Sequence, residues 1–397
     1  MRIIHTSDWH IGRRLNSAPL VQSHEKFFDA FIADLLPDQK PDLIVVSGDI
    51  YDRAIPPTDA VELFEDVLSR LQAMNIPLLI TSGNHDSRVR LGTNTRFMTG
   101  LGLHFRTRLN QVAIPVVMES DDFTLLAYGI PYLEPDIDAG QQEHQWQVEP
   151  NHTAVIAEAI RQIKLDIESR RANSSKPIRT LVAAHAFVAG GLSSDSERNT
   201  KVGSLQMADA AVFSGIDYVA MGHLHGAQNV TSPEGTVIRY SGSPIPFSFS
   251  ERDHKKVARL VTMNASGVSE ESGPDWEIPQ LRKMVQYQDS LAEILSNKYP
   301  NSDHWVKVVL TDPEFPLNVM ETLRRKFPNI MELDRLTTVR AKSDGEQIAI
   351  KLNKMTPQDV AFRFVQKITG EDPSERTIEA IDQCCSHVES EMTQVNK

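Results

Sequence analysis

Cysteine is nearly absent from this chain. Among its 397 residues only Cys384 and Cys385 carry a thiol. Two sequence neighbours offer no disulfide framework, so a small stapled secreted scaffold is excluded and a reducing cytoplasm is the simplest setting. Long apolar runs are missing too, and none approaches the roughly 20 residues of a membrane span. The opening Met1-Arg2-Ile3-Ile4-His5 enters a strand pattern at once, which Asp8 and His10 soon interrupt, unlike a signal peptide. There is also no surplus of positive charge. The net charge is −12, the reverse of the balance common in nucleic-acid-binding domains.

A hydrophobic content of 40% supports packed cores, and the length suits about two or three domains. The charge is unevenly distributed. Between Ser87 and Asn110 lie five arginines (Arg88, Arg90, Arg96, Arg106 and Arg108) and no acid. A second basic group comprises Arg324, Arg325, Lys326, Arg335, Arg340 and Lys342. Either group would suit a polyanion or form a solvated face.

Along the chain, apolar runs alternate with helical spacing. Strands are expected over 2–7, 42–47 and 77–81, with helices between them; Phe27, Phe28 and Phe31 fall on a core-facing stripe. This order implies a mostly parallel sheet. Further strands are expected over 123–128, 180–184 and 218–221. Val237–Tyr240 and Val257–Thr262 read as later strands of a second sheet. Residues 134–150 read as a loop, 152–171 as a helix, and 189–203 as a Gly- and Ser-rich loop. From about Pro279 a small α/β unit follows. From Thr356 two helical stripes, Ala361, Phe364, Val365 and Ile368, then Ile378, Ile381, Cys385, Val388 and Met392, form a hairpin around Gly370 and Pro373. The expected divisions are 1–278, 279–345 and 346–397.

The chemistry gathers at strand ends. Gly83-Asn84-His85-Asp86 follows one strand, and four other ends carry Asp8 with His10, Asp49, His185, and His223 with His225. The C-terminal ends of strands are where open α/β sheets bind ligands. Singly, a strand-end Asp is a helix cap and a His a satisfied polar group; together they form a metal constellation. Sharing Asp49 divides them into two sets: Asp8, His10, Asp49 and His225 for one ion, and Asp49, Asn84, His185 and His223 for a second. A carboxylate can bridge because each oxygen carries its own lone pairs, which a neutral imidazole cannot do. Two divalent cations exceed the two carboxylate charges, so the centre attracts an anionic phosphoester, with the ions about 3.5–4 Å apart. Imidazole, carboxylate and amide ligands suit manganese or iron; zinc remains open, and magnesium prefers oxygen alone. His85 is a general acid for the leaving alkoxide, a phosphate contact, or a hydrogen-bonding neighbour of the ligands. Asp52 either orients His85 or caps the turn before Pro56-Pro57. Arg53, Arg88 and Arg90 are placed to meet phosphates or to form ion pairs.

Asp8-x-His10, Gly48-Asp49-x-x-Asp52, Gly83-Asn84-His85-Asp86, His185 and Gly222-His223-x-His225 resemble the signature of the calcineurin-like metallophosphoesterases. His5-Thr6-Ser7-Asp8-Trp9-His10, Pro56-Pro57, Ser87 and Gly242-Ser243-Pro244-Ile245-Pro246 narrow the resemblance to the nuclease subunits of bacterial DNA double-strand-break repair complexes. The resemblance implies a two-sheet α/β core flanked by helices, with a small α/β capping domain and a C-terminal helix–loop–helix. It implies a manganese-dependent nuclease that cuts single-stranded DNA endonucleolytically and duplex ends exonucleolytically. It further implies a homodimer within a heterotetramer, DNA contacts from the capping domain, and an SMC-like ATPase docked on the C-terminal hairpin. Catalysis falls to His85 and Asp52, DNA contact to Arg88 and Arg90. Two positions depart from the pattern: Ala184 stands before His185 where glycine is usual, and Ala54 follows Arg53 where related phosphatases have glycine.

Two rivals remain. A phosphoesterase for small phosphodiesters or phosphoproteins could share the metal site, but has no need of the capping unit or hairpin. A non-catalytic scaffold with a decayed centre should have lost ligands, and all seven are present.

Overall fold

A computed structural model of the chain describes residues 1–16, 18–140, 146–196, 207–232, 235–269, 273–313 and 318–336, with short stretches between 358 and 383. Met1–Leu336 packs as one compact unit and Thr337–Lys397 as a second. Most of the expected C-terminal hairpin, together with Cys384, Cys385, Arg340 and Lys342, lies outside the described residues.

The first sheet has four parallel strands at its centre and edge: β1 (Arg2–Thr6), β2 (Leu43–Ser47), β3 (Leu78–Thr81) and β4 (Leu103–Arg106). The second runs through β5 (Val116–Glu119), β6 (Thr124–Gly129), β7 (Ile178–His185), β8 (Tyr218–Gly222), β9 (Gln228–Val230) and β10 (Val237–Tyr240). Its spatial order is β9-β10-β8-β7-β6-β5. Val257–Asn264, here β11, departs from expectation. It pairs antiparallel with β1, Ile4 opposite Leu260, and so completes the first sheet rather than the second. Apolar residues such as Val257, Ala258 and Val261 identify a strand but carry no information about which sheet it joins.

Side-chain alternation builds the layers. Ile3, Leu43, Val45 and Leu79 point between the sheets and meet Leu125, Ala127, Leu181, Ala183 and Ala220. Their neighbours Ile4, Ile44, Val46 and Ile80 point outward, where they join Phe27, Phe28, Phe31, Phe64 and Leu71. Those aromatics are core, not surface, as their helical spacing suggests. They come from α1 (Val21–Ala30), which continues through a π-turn at Phe31–Leu35, and from α2 (Thr58–Ala73), which starts directly after Pro57. On the far side α3 (His152–Ala172) covers the second sheet with Val155, Ile156, Ala159, Ile160 and Ile163. Asn151 caps it by accepting from the Ala154 N–H at 2.8 Å. The result is helices, sheet, sheet, helices. The C-terminal ends of β1, β2, β3, β7 and β8 meet at one edge of this sandwich.

A third sheet of parallel strands, β12 (Met284–Asp289), β13 (Trp305–Leu310) and β14 (Ile330–Arg335), carries α4 (Val319–Lys326). Val306, Val308, Leu310, Leu323 and Phe327 give it a core of its own. This is the expected small α/β unit. The segment expected as a loop before α3 contains a short helical turn at Pro135–Asp138.

Candidate metal centre

The strand-end loops hold their side chains by unusual backbone. Asp8, His10, Asp49 and His223 have positive φ, at 52°, 45°, 49° and 106°. L residues rarely occupy this region, and such strain gathers at functional sites. Two glycines let the loops close. Gly48, at φ 82°, lies where a Cβ would strike the His185 ring, and at Gly83 a Cβ would strike the Asp49 carboxylate and amide. Main-chain bonds lock the arrangement: Asp8 N–H donates to the Gly48 carbonyl at 3.1 Å, and His10 N–H to that of Asp49 at 2.9 Å.

All seven expected ligands converge. His10 Nε2 lies 3.2 Å from His225 Nε2 and 3.5 Å from Asp49 Oδ2. The same Asp49 oxygen is 3.4 Å from His185 Nε2. Asn84 Oδ1 is 2.9 Å from His185 Nε2 and 3.2 Å from His223 Nδ1. Asp8 closes both groups, with His10 and His225 on one side and Asp49 and His185 on the other. These spacings fit cation binding. Two donors about 2.1 Å from one ion and at right angles around it stand about 3.0 Å apart. Two imidazole nitrogens facing each other can make one hydrogen bond at most, or both can present lone pairs to a cation.

Burial sets the electrostatics. It holds His10 well below the usual imidazole range and His223 at about 3, so both favour the neutral, lone-pair form. Burial pushes Asp8 up to about 6. For Asp49 burial works in the same direction, but the neighbouring His185 and His10 override it and hold the carboxyl well below its ordinary value. His185 shows the reciprocal effect: burial lowers it, while the charges of Asp49 and Asp8 raise it to about 9.

His85 sits beside this group, its ring edge-on to His10 with centroids 4.6 Å apart. Its N–H donates to Asp49 Oδ1 at 2.8 Å. Its Nδ1 meets the main-chain carbonyl of Asp52 at 2.7 Å. Asp52 thus reaches His85 through its backbone, while its carboxylate accepts from Arg13 at 3.0 Å and lies 3.7 Å from His10 Nδ1. Arg88 pairs with the buried Asp138 at 2.5 Å and donates to the Tyr132 carbonyl. Arg90 is exposed.

Four holders were not legible as such. Asp86 accepts from the N–H groups of Ile50, Tyr51 and Gly83 at 3.1, 2.9 and 2.9 Å, tying the exit of β2 to that of β3. Burial, aided by the charge of Asp49, pushes its carboxyl up to about 7. Its place at the end of the Gly83 motif is the available signal. His24 braces the loop after β1 by bonding the Trp9 carbonyl at 2.7 Å. Glu251, with Lys256, stands behind His225 at 3.5 Å. Nothing in the spacing of these residues links them to His225.

The calcineurin-like phosphoesterase family matches residues 1–227. The chain belongs to that family and is a phosphoester hydrolase. A second family, SbcD_C, described as the type 5 capsule protein repressor C-terminal domain, matches residues 280–369. More particularly, the chain is 29% identical over 373 residues to the SbcD subunit of the nuclease SbcCD from Staphylococcus saprophyticus, covering 94% of each. Among solved structures, that of TT1561 from Thermus thermophilus aligns with a TM-score of 0.39 at 12% identity, covering 70% of this chain and 99% of that one.

Proposed function

We propose that the chain is the metal-dependent DNA nuclease subunit of an SbcCD-type complex. It would cut single strands endonucleolytically and duplex ends exonucleolytically during DNA repair and recombination. The observation that carries this reading is the placement of Asp49 Oδ2, 3.5 Å from His10 and 3.4 Å from His185, between two ligand sets. Asp8, His10, Asp49 and His225 would hold one divalent ion, and Asp49, Asn84, His185 and His223 the other. Manganese suits the mixed donors best, ahead of iron, zinc or magnesium. When bound, such a pair supplies Lewis-acid polarisation of the phosphoryl group and an acidified water.

The remaining work belongs to the chain. His85 gives a proton to the leaving alkoxide or grips a phosphate oxygen, oriented by the Asp52 carbonyl on its Nδ1. The similarity to an SbcD subunit over nearly the whole chain supports the wider assignment: DNA as substrate, an SMC-like ATPase of the SbcC kind as partner, and a homodimer within a heterotetramer. In this reading 1–278 is the nuclease domain, 279–345 caps it and contacts DNA, and 346–397 links to the ATPase-binding hairpin. A cytoplasmic, nucleoid-associated setting follows from that substrate. Among the described residues no helix is long and apolar enough to cross a membrane.

The test is manganese-dependent cleavage of labelled single-stranded and duplex DNA by the full chain, beside His85→Gln. The parent should cut, and the variant should bind manganese normally yet cut about 10²–10⁴-fold more slowly, the range of a lost general acid. Hydrolysis of a small phosphodiester with no DNA cleavage, even after the ATPase is added, would transfer the assignment to the small-substrate class.

A further inference from the structure

His225 faces the centre with Nε2, 3.2 Å from His10 Nε2, so its Nδ1 edge points away. There it meets Ser196 Oγ at 2.6 Å and Glu251 Oε1 at 3.5 Å. The Ser196 hydroxyl also bonds the Glu251 carboxylate. Glu251 is gripped in turn by Lys256, whose ammonium donates to the His225 carbonyl at 3.0 Å and to Ser243 Oγ at 2.8 Å. His225, Glu251 and Lys256 are all buried, at 2%, 1% and 4% exposure.

A buried ion pair is poor value as a stabiliser, since an apolar pair of similar volume often serves as well. Its chemistry here is directional. A neutral imidazole has one N–H and one lone pair, so whichever nitrogen donates determines what the other presents. A carboxylate can only accept. The chain of bonds therefore has one sense: Nδ1–H donates to Ser196 Oγ, and the Ser196 O–H donates to Glu251. An amide at position 251 could donate as well as accept, and the sense would be lost.

We propose that Glu251, anchored by Lys256 and acting through Ser196, is a positioning residue that keeps His225 in its Nδ1–H tautomer with the Nε2 lone pair turned to the centre. The consequence for metal rests on the reading of His225 as a ligand; the tautomer itself does not. Outer partners of this kind typically change metal affinity by 10–100-fold.

The experiment uses the full chain labelled with ¹⁵N-histidine, without metal, with the His225 signals assigned from a His225→Gln variant. The parent should show His225 protonated at Nδ1 alone. E251Q/K256Q removes both charges with a modest loss of volume at 256, and E251Q alone is isosteric and keeps the lysine. In each variant that retains its near-ultraviolet circular dichroism, the His225 ¹⁵N shifts should move toward a mixture of tautomers. Manganese affinity by titration calorimetry should fall about 10–100-fold. A parent His225 protonated at Nε2, or a folded variant with unchanged shifts, would overturn the proposal. A parent that shows the expected tautomer yet binds no manganese would sink the nuclease reading and leave this one standing.

Discussion

The exits of β3 and β8 perform the same task by opposite means. Both must hold candidate ligands rigidly at a strand end: Asn84 after β3, His223 and His225 after β8. The first is held by a residue of its own loop. Asp86, two residues beyond Asn84, turns back to take three main-chain N–H groups. The second is held from afar, by Ser196 and by Glu251 with Lys256, which lie about thirty residues before and after it. The first tether lies in its ligand's own loop and ties it to the exit of β2 through Ile50 and Tyr51, 36 and 35 residues away. The second needs three segments to fold first, but it can act on a side chain's proton as well as on the backbone.

Between the two exits sits Asp49, and its loss should be the largest effect. Asp49→Asn keeps the shape but removes the charge shared by both proposed ligand sets. Cleavage of labelled DNA should fall by on the order of 10³-fold, as for loss of one strong electrostatic group at a reacting centre. Titration calorimetry should show the bound manganese reduced to one ion or none. Retention of two tightly bound ions would separate Asp49 from the metal reading.

The local tether is probed by Asp86→Asn. The amide retains one acceptor and sets N–H groups against the main-chain donors of Ile50, Tyr51 or Gly83. Leaving such a donor unsatisfied costs about 1–3 kcal/mol, readable in urea unfolding. Because Asp86 joins the exits of β2 and β3, this variant should weaken both ions, whereas loss of Glu251 should weaken only the one held by His225. Equal effects on both ions from the two variants would erase the distinction between the tethers.

The contrast also explains what could be read from the sequence. Asp8, Asp49 and Gly83 through His85 announce themselves because candidate ligand and turn glycine are neighbours, and the backbone demands at Gly48 and Gly83 are written in residue type; Asp86 ends that motif, but its grip on the exit of β2 shows only in the fold. The apolar alternation of Ile3, Ile4 and Leu43 to Val46 likewise encodes two packed faces. Glu251 and Lys256 announce nothing, since only the folded chain brings them to His225. For the same reason Val257–Asn264 could be recognised as a strand but not assigned to its sheet. Asp52 was legible as a partner of His85, but not that its carbonyl makes the contact while its carboxylate turns to Arg13.

Arg88 and Arg90 carry the same comparison outward, and the smallest effects are expected here. They are two residues apart in one arginine-rich stretch, and by sequence both are candidates for phosphate. In the fold Arg88 is a tether: it pairs with the buried Asp138 and donates to the Tyr132 carbonyl, joining the β3 exit to the segment after β6. Arg88→Ala should cost about 2 kcal/mol of stability, the range of hydrogen bonds to charged groups. Arg90 is exposed, and Arg90→Ala should leave the unfolding midpoint unchanged. If Arg90 meets a phosphate, its loss weakens DNA binding about equally for all sequences and lowers the slope of log affinity against log salt by about 1. Fluorescence anisotropy at several salt concentrations, beside urea unfolding, resolves the two roles. A lowered salt slope with unchanged stability for Arg88→Ala would reverse the assignment, because a side chain already committed to Asp138 has little charge left to give to DNA.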